Sequence, residues 1–270
     1  MADTATTGTA AAAQTNEPLI RVEGLRKSFG SLEVLKGIDL SVNPGEVVTI
    51  IGASGSGKST FLRCLNLLET PDAGHIWFHG QDLTAERCNI NKLREDIGMV
   101  FQGFNLFNNM DVLDNCTLAP VTLKKMSKAE AEKVAMEHLT SVGLEKFAHA
   151  AVGRLSGGQK QRLSIARAIA KHPDVYIFDD SFSALDYKTD ATLRAELKEK
   201  TAESTVMIVA QRISTILHAD QIIVLEDGQI VGKGTHKELL KNCEAYYQIA
   251  SSQSVSYTHL RAHETSLHLV

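Results

Sequence analysis

The sequence predicts an α/β fold with a mostly parallel sheet, and three observations carry that prediction. Short apolar segments at 47–51, 175–178 and 206–210 have the length and composition of buried strands. Segments with helical spacing separate them, as expected when crossover helices join parallel strands. A glycine-rich turn directly follows the first of these strands. At 270 residues, the chain is long enough to bury an ample core.

Composition is ordinary for a globular protein. It gives no indication of nucleic-acid binding, of a membrane-spanning segment or of a cysteine-based metal or redox site. Hydrophobic residues make up 43% and charged residues 22% of the chain. A net charge of -4 gives no reason to expect a nucleic-acid partner. No apolar run approaches the roughly 18 residues that span a bilayer, so any membrane role is expected to come through a partner. The four cysteines lie far apart, which indicates neither a zinc site nor a redox motif.

Two alternating segments precede the glycine-rich turn. Residues 20–25 and 34–42 alternate apolar and polar side chains, and a third short strand is predicted at 74–80. Together these segments predict a small antiparallel β-subdomain beside the bound ligand. Phe29 lies between the first two segments, and its position leaves open whether the ring stacks on a purine base or belongs to the core.

The glycine-rich turn at 52–60 matches the pattern G-x-x-x-x-G-K-[ST] between a strand and a helix. Glycine tolerates backbone angles that let successive N–H groups point at a phosphate. Lys58 is expected to direct a charge toward the outer phosphates, and the Ser59 hydroxyl to hold Mg²⁺. The turn therefore predicts binding of a nucleoside triphosphate. The residues expected to contact the phosphates are Gly52, Ser54, Gly55, Gly57, Lys58, Ser59 and Thr60.

A helical subdomain is predicted at about 103–155. Residues 112–144 lack strand alternation, residues 128–139 have helical spacing, and Ser127 occupies an N-cap position. Immediately before this insertion, Gln102 ends a buried strand. A glutamine at such a place is usually a plain loop residue, but here it could also reach Mg²⁺ and its water.

A second glycine-containing motif lies at 155–159, directly before a helical pattern at 160–171. Its serine and two glycines predict a bare helix N-terminus, which is an anion site in its own right. The next strand, at 175–178, ends in Asp179 and Asp180, where a protein with this type of phosphate loop holds Mg²⁺. The residues expected at the second anion site are Ser156, Gly157, Gly158 and Gln159.

These motifs occur in one order over roughly residues 19–252, and together they resemble the nucleotide-binding subunit of an ATP-binding cassette (ABC) transporter. The resemblance implies a P-loop NTPase core (RecA-like, mostly parallel sheet), ATP and Mg²⁺ as ligands, and ATP hydrolysis. It implies a second cassette as partner, with the segment 155–159 of one molecule closing over the ATP of the other. It further implies integral membrane permease subunits, and hence a peripheral location at the cytoplasmic face of the cell membrane. In this family Phe29 would stack on adenine, and Gln102 would sense Mg²⁺ and contact the permease.

The resemblance also assigns the acidic residues, and two of the positions depart from the family pattern. Asp179 corresponds to the metal-binding aspartate and Asp186 to the last residue of the D-loop at 183–186. The family normally has a water-polarising glutamate where Asp180 stands and a histidine where Gln211 stands. Aspartate is one methylene shorter, and glutamine does not titrate near neutral pH. A positional error near 1 Å can cost about 100-fold in rate, so we expect firm MgATP binding and slow hydrolysis.

Two parts of the chain resemble different branches of the family. Residues 20–144 resemble the ATPases of polar amino-acid importers, and about 157–253 resemble the nucleotide-binding domain of a multidrug-exporter half-transporter. A junction near 152–156 is therefore our hypothesis. Residues 255–265 resemble a translated sequencing adapter.

The expected organisation is a disordered tail at 1–17, an ABC-type ATP-binding domain at 18–252, and a non-native or disordered tail at 253–270. The expected function is ATP-driven polar amino-acid uptake through a separate permease. Two alternatives remain: a nucleotide-gated regulatory cassette of a heterodimeric exporter, and a chimeric product without a role of its own.

Overall fold

Two β-sheets and a layer of helices make up the computed structural model, which describes residues 17–85, 88–182, 187–211, 213, 216–217 and 219–253. The strands are β1 (Ile20–Phe29), β2 (Leu32–Val42), β3 (Val47–Ile51), β4 (Ala73–Phe78), β5 (Gln81–Asp82), β6 (Ile97–Val100), β7 (Val175–Phe178), β8 (Thr205–Val209), β9 (Gln221–Glu226) and β10 (Gln229–Gly234). The α-helices are α1 (Lys58–Leu65), α2 (Ile90–Asp96), α3 (Val112–Thr122), α4 (Lys128–Ser141), α5 (Gly157–Ile169), α6 (Tyr187–Lys200) and α7 (His236–Asn242). A further helical segment runs over 244–253.

The larger sheet is the mostly parallel sheet that the sequence predicted. Its strand order is β10-β9-β3-β8-β7-β6, and only β10 runs antiparallel to its neighbour. Strand β3 therefore lies between β8 and β9, and the loop that follows it sits above the middle of the sheet. In open α/β sheets, ligands bind at the carboxyl ends of the strands, which is where this loop lies.

The smaller sheet is antiparallel, as predicted, with strand order β2-β1-β4-β5. It meets the larger sheet at the hairpin between β9 and β10, where the Lys36 N–H donates a hydrogen bond to the Gly228 carbonyl at 2.9 Å. Strand β1 ends at Phe29, close to the carboxyl end of β3. The smaller sheet thus forms one wall beside the glycine-rich turn.

Helices α3, α4 and α5 pack together as the helical layer, with short 3₁₀ turns at 145–147 and 152–154. The predicted N-cap of α4 is confirmed: the Ser127 hydroxyl accepts from the Glu130 N–H at 3.3 Å, and the Glu130 carboxylate accepts from the Ser127 N–H at 3.0 Å. The buried face of α4 includes His138, whose two ring nitrogens have no hydrogen-bond partner among the described residues. Burial lowers the pKa of His138 to about 4, and the nearby His172 and Lys200 act in the same direction.

The sequence did not predict β5, α2, α6 or α7. The short helices α2 and α7 each bury one leucine, Leu93 and Leu239, so neither carries a clear hydrophobic period. Helix α5 begins at Gly157, three residues before the predicted start at Lys160. In the described part of the chain, no helix is both long and apolar enough to cross a membrane.

Candidate nucleotide-binding site

The phosphate loop, residues 52–60, is held against two neighbouring strands. Gly52 has a φ of +156°, and a Cβ there would lie 2.0 Å from the Leu225 carbonyl oxygen of β9. Gly57 has a φ of +100° and caps α1, and a Cβ there would lie 2.9 Å from the Val34 carbonyl oxygen of β2. Both glycines are therefore required by backbone conformation and by close approach within this chain. The loop leads directly into α1, as predicted, so the positive end of the helix faces the ligand position.

Lys58 lies over this loop. Its ammonium donates to the Ala53 carbonyl at 2.6 Å and to the Gly52 carbonyl at 2.9 Å. Burial lowers the pKa of Lys58, and the negative charges of Asp180 and Asp179 oppose that effect. The lysine thus stands between the loop carbonyls and the two acidic residues that end β7, which is a suitable place to meet the outer phosphates.

Ser59 and Asp179 lie in contact although 120 positions separate them in the sequence. The Ser59 hydroxyl donates to Oδ1 of Asp179 at 2.6 Å. Asp179 is fully buried, and its Oδ2 accepts no hydrogen bond from the described residues. An Arg63 guanidinium nitrogen stands 3.9 Å from that oxygen. A hydroxyl beside a carboxylate oxygen suits Mg²⁺, which takes one or two protein ligands and completes its shell with water and phosphate oxygens. These two residues therefore fit the metal.

Asp180 is the centre of a group of side-chain amides. It adopts a φ of +49° and is 9% exposed. Its Oδ2 accepts from Nε2 of Gln211 at 2.6 Å and from Nε2 of Gln102 at 3.4 Å. Two other residues that the sequence singled out therefore converge on this carboxylate oxygen, and both reach it with uncharged amide groups.

A cavity of about 650 Å³ joins these parts. Phe29 lies in its wall with 48% of its surface exposed, so this ring is not part of the core. Asp179 supports the cavity from below through Ser59. Asp186 lies outside the described residues. The predicted residues that line the cavity are Phe29, Gly52, Ser54, Gly55, Gly57, Lys58, Ser59, Thr60, Gln102, Asp180 and Gln211.

Seven further lining residues were not among the predicted site residues: Leu32, Val34, Ile51, Ala53, Val209, Ile249 and Gln253. Leu32 is 66% exposed and pairs with Phe29 across β1 and β2. The alternation of apolar and polar residues along β2 could have placed Leu32 on the same face as Phe29. Gln253 was assigned to the tail, but in the structure it belongs to the helical segment 244–253 and its side chain hydrogen bonds to the Gln211 carbonyl. No sequence signal points to that contact.

A larger cavity, about 830 Å³, lies at the opposite ends of the strands. Its lining includes Gly45 before β3, Asp174 before β7 and Thr205 at the start of β8. None of the residues predicted to bind a ligand lines it. We place the functional site at the smaller cavity because the loop geometry and the converging polar groups are there.

The signature segment, Leu155–Gln159, does not line the nucleotide cavity. The Ser156 hydroxyl accepts from the Gln159 N–H at 3.3 Å, and the Gln159 side-chain oxygen accepts from the Ser156 N–H at 2.8 Å. The helix start predicted to be bare is therefore partly capped by its own side chains, which corrects that expectation. A Cβ on Gly157 would meet nothing within 4 Å among the described residues.

A phosphate loop after a central parallel strand, with its serine bonded to the buried aspartate that follows β7, two strands away in the same sheet, defines a P-loop nucleotide-binding protein. The family model described as ABC transporter matches residues 35–183, which is more than half of the chain. The chain belongs to the ABC transporter family, as its ATP-binding domain.

Similar proteins include several import subunits. The arginine transport ATP-binding protein ArtM of Bacillus subtilis is 46% identical over 222 residues, covering 82% of this chain and 92% of that protein. The glutamine transport ATP-binding protein GlnQ of Geobacillus stearothermophilus is 39% identical over 226 residues, covering 83% of this chain and 93% of that protein. The cassette MJ0796 bound to ADP and Pi, a dimeric structure, is 34% identical with a TM-score of 0.74, covering 80% of this chain and 98% of that one.

A bacterial Atm1-family ABC exporter with ATP bound is also similar. It is 29% identical with a TM-score of 0.80 and covers 90% of this chain but only 43% of the exporter chain. The P-loop NTPase fold with mixed sheets and helices is therefore shared by importer and exporter relatives. The fold class predicted from the sequence is confirmed.

Proposed function

We propose that this chain is the ATP-binding and ATP-hydrolysing subunit of a transporter that drives polar amino-acid uptake through a separate membrane permease. The observation that carries the proposal is the Ser59–Asp179 hydrogen bond of 2.6 Å, which joins the phosphate loop to the acidic end of β7 beside Lys58. The names of similar proteins, which include arginine, glutamine and cystine transport, support the solute class.

The site acts by position and charge. The loop N–H groups and Lys58 hold the outer phosphates, and the exposed Phe29 ring offers a face on which adenine stacks. Ser59 and Asp179 would hold Mg²⁺, which when bound neutralises charge that develops on the β- and γ-phosphates. Asp180 stands at the cavity where the attacking water must approach, and it is the residue available to orient that water.

We further propose that hydrolysis at this site is slow. The carboxylate of Asp180 ends one methylene short of a glutamate. Its Oδ2 is already an acceptor for two amides, those of Gln211 and Gln102. Each hydrogen bond occupies acceptor capacity of that oxygen and fixes the direction in which the carboxylate points. Binding of MgATP depends on other atoms and is expected to remain firm.

The proposal is tested by restoring the family residues. We expect the double variant Asp180→Glu and Gln211→His to raise kcat at least about 10-fold, because the longer carboxylate reaches the water and the imidazole replaces a static amide. The measurement is phosphate release by the purified chain at saturating MgATP, with the Kd for MgATP measured on the same samples.

A matched control is Asp180→Glu alone, which lengthens the carboxylate and leaves Gln211 in place. An unaltered chain that already matches the double variant in turnover contradicts slow hydrolysis. Failure to bind MgATP at all contradicts the nucleotide site itself.

The signature segment supports a dimer as the working form. Its residues lie outside the cavity that their own chain forms, and one similar solved structure is a dimeric cassette. In the arrangement we propose, Ser156, Gly157, Gly158 and Gln159 of one molecule close over ATP bound to the phosphate loop of the other. Recovery of ATP hydrolysis on mixing a phosphate-loop variant with a signature variant of this chain would show that two identical cassettes can form the dimer.

The helical layer supports the permease contact. Residues 103–155 supply helices α3 and α4, and Gln102 connects this layer to Asp180. We propose that this subdomain meets the permease, so that Gln102 reports permease movement to the hydrolytic residues. The chain would then work as a peripheral subunit at the cytoplasmic face of the cell membrane.

A second candidate function is a nucleotide-gated cassette that closes and opens an interface without turnover. The two amide hydrogen bonds to Oδ2 of Asp180 favour it, and the exporter relative shows that this fold also serves exporters. Dimerisation on MgATP with no phosphate release beyond background would select this candidate.

The mosaic origin of the chain stays a prediction. The importer relatives align across both proposed halves, because they match 82% or more of the chain. Sequencing reads that cross codons 150–160 and 253–256 without interruption would remove both the junction at 152–156 and the adapter interpretation of 255–265.

A further inference from the structure

We propose that Gln253 is a positioning residue for ATP hydrolysis: its side-chain amide clamps the backbone of Gln211 and Ile213 and so holds the Gln211 side chain against Asp180. The inference rests on the proposed function of the cavity and extends it to the last described helix. Gln253 hydrogen bonds to the backbone of Gln211 and Ile213, and the Gln211 side chain reaches Asp180, so Gln253 acts through Gln211.

The clamp uses both ends of one amide. Nε2 of Gln253 donates to the Gln211 carbonyl at 2.6 Å, and Oε1 of Gln253 accepts from the Ile213 N–H at 2.7 Å. Two antiparallel bonds from one planar group fix the direction of the backbone they bind, as a neighbouring strand does. A single bond would leave that segment free to rotate.

The clamped backbone carries the residue that holds the hydrolytic carboxylate. The side chain of Gln211 leaves this backbone and donates to Oδ2 of Asp180 at 2.6 Å. A shift of the Gln211 carbonyl by about 1 Å carries the side-chain amide with it, and errors of that size cost about 100-fold in rate at a reacting centre. The position of Asp180 therefore depends on a contact made by the far end of the chain.

The helix that supplies Gln253 is firmly anchored. Tyr246 is fully buried, and its hydroxyl lies 2.7 Å from Nδ1 of His236 in α7. Ala250 is 6% exposed and belongs to the same core cluster as Ile222 and Val224 of β9. Since β9 is paired with β3, the clamp is tied to the strand that leads into the phosphate loop.

The test compares two glutamines of one helix. Gln253→Leu keeps the size of the side chain and removes both hydrogen bonds. Gln248→Leu is the control, because Gln248 is exposed and its side chain reaches only Glu244 of the same helix in the bonds described, at 3.1 Å. We expect Gln253→Leu to lower kcat about 10-fold with KM changed less than about 2-fold, and Gln248→Leu to leave both unchanged.

A double-mutant cycle separates positioning from general support. If Gln253 acts through Gln211, then Gln253→Leu changes kcat by less than about 2-fold in a Gln211→Ala background. Equal fold losses in both backgrounds, or an equal loss from Gln248→Leu, overturn the proposal.

A second measurement does not depend on turnover. Hydrogen exchange at the Ile213 amide in the nucleotide-free chain is expected to quicken about 5- to 10-fold in Gln253→Leu, since one net hydrogen bond is lost. Unchanged exchange at that amide overturns the clamp even if hydrolysis is too slow to measure. The wild-type rate of phosphate release tests the proposed function separately, so the two failures can be told apart.

Discussion

The phosphate loop and the signature segment both place glycines at the start of a helix, yet the chain constrains them differently. Gly52 and Gly57 have positive φ values and approach neighbouring backbone so closely that no Cβ fits. Gly157 is the first residue of α5, has no positive φ, and has open space where a Cβ would project. Contacts within the chain explain why Gly52 and Gly57 must be glycines, but no such contact among the described residues explains Gly157.

This difference indicates that the surroundings of the phosphate loop are formed by its own chain, whereas those of the signature segment are not. The phosphate loop shares one cavity with other parts of its own chain, including Gln102, Asp180 and Gln211. The signature segment caps its own helix, and none of its residues lines that cavity. Because nothing in the described part of its own chain requires Gly157 to lack a side chain, its small size fits the proposal that ATP held by a second molecule occupies the space next to it.

The largest expected effect is on ATP hydrolysis, and it comes from disrupting the phosphate loop in one variant and the signature segment in another. Lys58→Ala removes the cation over the loop, and Ser156→Arg places a bulky charge on the signature segment. We expect each variant alone to lose at least about 100-fold in ATP hydrolysis. An equal mixture of the two should regain a measurable part of the wild-type rate, because a mixed dimer contains one composite site with both halves intact.

The mixture is compared with each variant at twice its concentration. No recovery on mixing, under conditions where the chains associate, contradicts a composite site. Full activity of Ser156→Arg alone contradicts a role for the signature segment.

A smaller effect is expected on the free energy of unfolding when a glycine of the phosphate loop or of the signature segment is replaced by alanine. Gly52→Ala is expected to lower the free energy of unfolding by roughly 2–4 kcal/mol, because the new Cβ would lie 2.0 Å from the Leu225 carbonyl at a strained φ. Gly157→Ala is expected to raise it by about 0.5–1 kcal/mol, as alanine favours the helix. Urea unfolding of both variants measures the contrast. A loss of stability in Gly157→Ala would mean that its surroundings within the chain are not open.

The smallest expected effect concerns the helical layer that supports the signature segment. The pKa of His138 is lowered from its ordinary value near 6.5 to about 4, so the unfolded chain binds a proton that the folded chain excludes. The free energy of unfolding therefore falls as pH decreases from about 6.5 to about 4, by roughly 1–3 kcal/mol. His138→Leu should remove this part of the acid sensitivity.

The control for this prediction is His149→Leu, in the same helical layer, where the side chain is 81% exposed. Urea unfolding at pH 7 and pH 5 gives the difference for each variant. An equal loss of stability on acidification in wild type and His138→Leu would contradict the assignment.

The parts of the fold that follow from sequence are those with a strong local pattern. The apolar strand before Gly52 and the fully apolar strand before Asp179 were both predicted, and they are β3 and β7 of the larger sheet. The N-cap predicted at Ser127 was likewise confirmed. Short elements such as α2, with one buried leucine, carry too weak a period to be found.

The site divides in the same way. A motif placed Lys58 and Ser59, because phosphate binding requires those residue types at fixed spacing. Nothing of that kind places Gln253, since its role depends on a backbone that lies about 40 positions earlier and is reached only through tertiary packing. The sequence also could not show that Ser156 caps its own helix, or that both amides meet one oxygen of Asp180.

The central place of β3 in the larger sheet has a consequence for how the protein forms. This strand pairs with β8 and β9, whose residues lie more than 150 positions later in the chain. Local hairpins can form in the smaller sheet at once, but the strand that carries the phosphate loop must find partners that are distant in sequence. Acquisition of the native state is therefore governed by distant pairing, which makes it slow relative to helical bundles of the same size.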